Sequence, residues 1–243
     1  MKHVQVDVVM PSKAIPPGEV REVVRAIEKQ VKRDFAPVWD VTADLRIARS
    51  ARDTHKGAWH LVLLDAADPS DDDGYHELTR QGMPLGRVFL KTASHDATGW
   101  SSTASHELLE MLANPEGQRA VCLYDEDVGY RTYAHEVCDP CQDDAQCYRV
   151  DGVWVSDFIH PAWFETWRRA RSTRFDHAKK LSRPLQIAKG GYAAFVDARH
   201  DKWVSDYGTH LAPDLQPVLG FARGGSRRLL RGVPRHHWKK SKQ

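Results

Sequence analysis

The sequence predicts an α+β fold, on three observations. Strand and helix patterns alternate through its first third, a central helix carries a His-Glu motif inside an apolar run, and short alternating segments separated by turn signals dominate the rest. The 243 residues, 41% hydrophobic, suffice for one large core with a small appendage. Basic and acidic side chains number 35 and 33, so the body has no general attraction for nucleic acid or an anionic membrane. No apolar run reaches the ~20 residues of a membrane span. MKHVQVDVVM opens on a strand pattern rather than a signal peptide, so a cytoplasmic protein without membrane association is expected.

The first strand is read from Val4, Val6, Val8 and Met10, which alternate with His3, Gln5 and Asp7. Pro16 and Pro17 suit the first turn of a helix, and Val20, Val23, Val24, Ile27 and Val31 follow at helical spacing. Val41, Ala43, Leu45 and Ile47 alternate as a second strand. WHLVLL at 59–64 is continuous enough for a central strand, and RVFLKTA at 87–93 is read as a fourth. Between them the acidic stretch Asp65 to Gly74 lacks the ligand spacing of a calcium loop and is read as solvated.

The stretch SHELLEMLANP at 105–115 has helical periodicity, with Leu108, Leu109, Met111 and Leu112 apolar and Ser102 or Thr103 as the expected cap. His106 and Glu110, four apart, stand one turn above each other and can touch a common metal ion. Glu107 points about 100° around the helix, from where it can act on a metal's water without ligating the metal. A carboxylate in the second ligand position suits zinc, the first expectation for a single divalent metal, but admits manganese or calcium. The bland alternative is a solvated helix face.

After the helix, 121–124 and 128–133 read as a meander leading into HEVCDPC. His135, Glu136, Cys138, Asp139 and Cys141 can all bind metal. A hydrolytic site needs a third protein ligand, and Glu136 is favoured, with Asp139 next, because hard oxygen matches Glu110. VDGVWVSDF at 150–158 reads as a hairpin turning at Asp151-Gly152. Asp157, at its end, either accepts the proton of a ligand imidazole and so sets the tautomer of His106, or caps a short helix from Pro161. Ala162, Trp163, Phe164 and Trp167 are expected to close the core. The cysteines at 122, 138, 141 and 147 leave a structural zinc site, a disulfide and free thiols open.

From Ser182 a small hairpin is expected, with Gly190 and Gly191 at a bulge or turn. Beyond Asp214 every charged residue is basic, which reads as a tail suited to an anionic partner or to solubility alone. The expected organisation is 1–175 as the metal-binding domain, 176–214 as a C-terminal β-hairpin region and 215–243 as a basic tail.

The order strand, helix, three strands, HE helix resembles the upper half of the zincin metallopeptidase fold over residues 1 to 115. SHELLEMLANP, HEVCDP and VSDFIHPAWF together resemble a group of bacterial and phage-encoded zincin-like proteins. The resemblance implies a twisted mixed sheet with a backing helix behind an HE-bearing active-site helix, and a last strand bordering a substrate cleft. It also implies a metal-dependent peptidase acting on a peptide or protein, with Glu107 as its base and His76 overhanging the site as a substrate contact. Glu110 departs from the family's second histidine, and Glu116 falls where some zincins place a third ligand. The alternative function is a non-hydrolytic, metal-stabilised binding or assembly module of the same fold.

Overall fold

The computed structural model describes residues 1–10, 15–66, 73–94, 96–125, 129–208 and 216–218. The centre of the acidic stretch and nearly all of the basic C-terminal segment lie outside these residues, as does the role expected of that segment.

Alternation in β1 (Lys2–Val9) turns Val4, Val6 and Val8 inward. Pro17 stands in the first turn of α1 (Pro17–Gln30), whose valines and Ile27 are buried. A π-helical turn, Val31–Phe35, and α2 (Ala36–Trp39) carry the chain to β2 (Val41–Ala48). With β3 (Trp59–Leu64), β4 (Gly74–Leu78) and β5 (Pro84–Phe89) these strands form a mixed sheet in the order β2-β1-β3-β5-β4. All neighbours are parallel except β4, which runs antiparallel to β5 at the edge.

Two readings are corrected here. Residues 74–78, which lie between the third and fourth expected strands and are part of neither, form a strand, closed onto β5 by a turn in which the Thr79 hydroxyl accepts the Met83 N–H and Gly82 takes a φ of 77°. The expected strand 87–93 starts earlier and stops at Phe89, where pairing with β3 runs out at Leu64; Leu90–Ala93 then turns as α3. In β3, Trp59, Leu61 and Leu63 are buried while His60, Val62 and Leu64 are half-buried, so this strand is covered fully on one side only.

The motif helix, α4 (Gly99–Ala113), begins before the expected cap. Ser102 lies in its first turn and donates back to the Gly99 carbonyl, while the Thr98 hydroxyl meets both Ser102 and Asp144. Nearly every residue of α4 is buried, polar ones included.

The rest is β-rich. β6 (Ala120–Asp125) and β7 (Gly129–Ala134) form the expected meander. β8 (Tyr148–Val150) and β9 (Val153–Val155) form the hairpin, with left-handed φ angles of 50° at Asp151 and 88° at Gly152. β10 (Ala193–Asp197) and β11 (His200–Asp206) join β7 and, with β12 (Gln216–Val218), complete a second sheet in the order β12-β11-β10-β7-β6. Trp163 and Phe164 enter the core, but Trp167 is 75% exposed because the helical turn from Pro161 ends at Phe164. Among the described residues no helix is long and apolar enough to cross a membrane.

A buried polar network ties α1, α4 and the β8–β9 hairpin together. The Ser105 hydroxyl donates to Gln30 Oε1 at 2.6 Å and accepts the Ser156 N–H at 3.1 Å; Gln30 Nε2 donates to the Ser156 carbonyl at 2.8 Å and to Tyr148 at 3.0 Å. Ser105→Ala removes one partner from each of two buried groups, and a loss of ~1–3 kcal/mol is expected in chemical denaturation. An unchanged midpoint would show that the network does not brace the motif helix.

Candidate metal centre

Glycine brings the edge strand close under α4. A methyl group at Gly74 would lie 2.8 Å from Glu107 Cγ and 2.9 Å from Thr103 Cγ2, and one at Gly86 would lie 2.8 Å from Leu61. The helix therefore settles onto β4 and β5 with Glu107 held against the sheet. His76 points from β4 to the same side.

On the helix, His106 Nε2 lies 3.3 Å from Glu110 Oε1, as their spacing implies. The third member comes from the 3-10 turn Asp139–Cys141, where Asp139 Oδ1 is 3.2 Å from the same nitrogen. Glu110 also fixes that turn, because the backbone N–H groups of Cys138 and Asp139 both donate to its Oε1 at 3.2 Å. From the other side the turn is backed by Gly191, where a Cβ would stand 2.7 Å from the Asp139 carbonyl, and by the Tyr192 N–H bonded to that carbonyl at 3.0 Å. Gly190 and Gly191 are thus places of close approach rather than a hairpin bulge.

Among the described residues, ligand-type atoms group in two sets sharing Glu110: His106, Glu110 and Asp139, and His76, Glu110 and Glu136. Of the two third ligands weighed from sequence, Asp139 stands with His106, while Glu136 stands across the site with Oε2 3.8 Å from His76 Nε2. His76 is 1% exposed and faces carboxylates, so it is part of the site's floor. Glu116 is exposed.

No protein-family model, curated protein or solved structure matches this chain.

The electrostatics are those of buried acids around imidazoles. Burial lowers the pKa of His106, but Glu110 and Asp139 more than reverse this and raise it well above the usual value. The site opens on a cleft of about 330 Å³ whose lining includes His106, Glu107 and Asp139 together with Asp73, Asp96, Asp143 and Asp144. Asp143 and Asp144 also brace loops, accepting backbone N–H groups of Gly190 and Ala97.

Other sequence candidates lie apart from the ligand sets. His135 stacks on Phe164 at 5.8 Å, and burial together with Arg119 lowers its pKa to about 4. Asp157 is fully buried; its Oδ1 accepts the Ala178 N–H at 2.9 Å, and burial together with the neighbouring Asp176 carboxyl raises its pKa. It thereby pins the segment after His177. The four cysteines are unlinked: Cys122 is exposed on β6, and Cys138 and Cys141 are buried with burial raising their thiols well above the ordinary range.

Proposed function

We propose that this protein is a zincin-like metal-dependent hydrolase, a peptidase by preference, with His106, Glu110 and Asp139 as the metal ligands and Glu107 as the general base. One observation carries the reading: three donors from two separate parts of the chain converge, buried, beside a cleft. Their separations of 3.2 and 3.3 Å match donor atoms on a single ion, since tetrahedral bonds of ~2.1 Å place neighbouring ligands ~3.4 Å apart. Burial argues against a solvated helix face, because carboxylates are rarely withdrawn from water without a cation or hydrogen bonds to balance them.

One nitrogen and two carboxylate oxygens suit zinc, with manganese next and calcium poorly served by the imidazole. A divalent metal held there would supply Lewis acidity. The chain's own residues do the rest. Glu107, on the cleft wall, takes a proton from the attacking water and returns it to the leaving amine. Carboxylates lining the cleft favour a peptide bearing lysine or arginine over an acidic one. The mixed sheet behind an HE helix supports the zincin-like comparison. The strand at the cleft, however, is the antiparallel edge strand β4 rather than β5, the strand that comes last before the helix.

The test is elemental analysis after metal loading. His106→Ala and Asp139→Asn are each expected to lose the ion held by this set, with the fold checked by circular dichroism. Glu110→Gln tests the shared ligand less cleanly because Glu110 also holds the 138–139 backbone. Unchanged metal content in both His106→Ala and Asp139→Asn would remove the metal reading.

A further inference from the structure

We infer that the site holds a second divalent cation, bound by His76, Glu110 and Glu136, with Glu110 as a carboxylate bridge between the two ions. The inference rests on the metal reading of His106, Glu110 and Asp139.

Glu110 turns its two oxygens in different directions. Oε1 faces His106 at 3.3 Å, and Oε2 faces His76 Nδ1 at 3.8 Å. A carboxylate presenting one oxygen to each of two donor sets is the arrangement that bridges a metal pair, as in two-metal hydrolytic sites. The second set comes from three elements, β4, α4 and the segment after β7, and each of its side chains is under a tenth exposed.

The spacings around His76 are compatible with a shared ion. Its Nδ1 lies 3.8 Å from Glu110 Oε2 and from Glu107 Oε2, and its Nε2 lies 3.8 Å from Glu136 Oε2. Charge-assisted N–H···O bonds close to ~2.7–2.9 Å. Two donors on one ion with bonds of ~2.1 Å stand between ~3.0 and ~4.2 Å apart, depending on the angle at the metal. One ion takes a single nitrogen of the imidazole; from Nδ1 the gap to Glu110 Oε2 falls in the second range, and with one atom taken from each residue the three donors of the set lie within 4.8 Å of one another.

Charge points the same way. Glu107, Glu110, Glu136 and Asp139 are four buried carboxylates beside two imidazoles. With both imidazoles neutral, one dication leaves two negative charges in a desolvated pocket, and a second dication cancels them. Protonation of the two imidazoles is the competing way to reduce that charge, and metal counting separates the two.

The experiment uses the full chain, stripped with a chelator and reloaded with manganese or zinc, then measured by elemental analysis and native mass spectrometry. Wild type is expected to hold about two ions, and His76→Gln and Glu136→Gln about one each. Two variants are used because either alone could disturb the fold, and a thermal melt accompanies both. The manganese-loaded wild type should show an exchange-coupled electron paramagnetic resonance spectrum, and the variants the six-line spectrum of an isolated ion. A single ion in wild type, lost in His106→Ala but kept in His76→Gln and Glu136→Gln, would overturn the second site and leave the first standing. A single ion lost only in the His76 and Glu136 variants would overturn both the bridge and the His106 reading. No ion in wild type would overturn both sites.

Discussion

Glu107→Gln is expected to keep its metal while losing peptide turnover by ~10²- to 10⁴-fold, because the amide preserves size and hydrogen-bonding reach but cannot accept the proton. Glu107 lines the cleft beside His106, and its side chain is held between α4 and the glycines of the edge sheet. The measurement is cleavage of a peptide library read by mass spectrometry, with basic peptides well represented. Chelation should abolish cleavage and zinc or manganese restore it. Metal-dependent cleavage that persists in the variant would exclude Glu107 as the base. Full metal occupancy without cleavage of any peptide would favour a metal-stabilised binding module of the same fold.

Asp157→Asn is expected to stabilise the protein at neutral and alkaline pH. Burial first, and then the neighbouring Asp176 carboxyl, push the pKa of Asp157 up to about 8. The unfolded value is ~3.9, so between the two the folded protein holds a proton that the unfolded chain has released. Stability from this group is therefore fully present below the unfolded pKa and is lost as pH rises through the folded one. Asparagine copies the protonated form permanently, and its Oδ1 can still accept the Ala178 N–H. The gain should grow from pH 5 to pH 8 and then level, reaching on the order of a few kcal/mol. Thermal midpoints of both proteins across pH check this, and taking their difference removes the opposite trend of carboxylates such as Asp7 and Asp34, whose pKa values are lowered. A difference that does not change with pH would mean that Asp157 is ionised in the folded protein.

Local patterns made much of the fold legible. The alternation of Val4, Val6 and Val8, the Pro16-Pro17 start of α1 and the Asp151-Gly152 turn each depend on neighbours in sequence, and each formed as expected. The strand at Gly74–Leu78 was missed, although a five-residue loop containing Gly82 separates it from β5, because an acidic stretch precedes it and its own run holds His76 and Glu77. A strand of that composition is recognised by its pairing, and pairing is not local.

The sequence by itself determined the helix that aligns His106 with Glu110 and sets Glu107 aside from them, since the α-helical repeat dictates those directions wherever the helix lies. Tertiary structure alone decided that this helix is buried almost all round, which excludes a solvated charged face. It also decided between two carboxylates three residues apart. Glu136 and Asp139 are chemically alike at long range, and only the turn tied to Glu110 by two backbone N–H groups directs Asp139 to His106 and leaves Glu136 beside His76. That choice depends on where a turn after β7 meets α4, a contact between segments about thirty residues apart that no repeat or local propensity encodes.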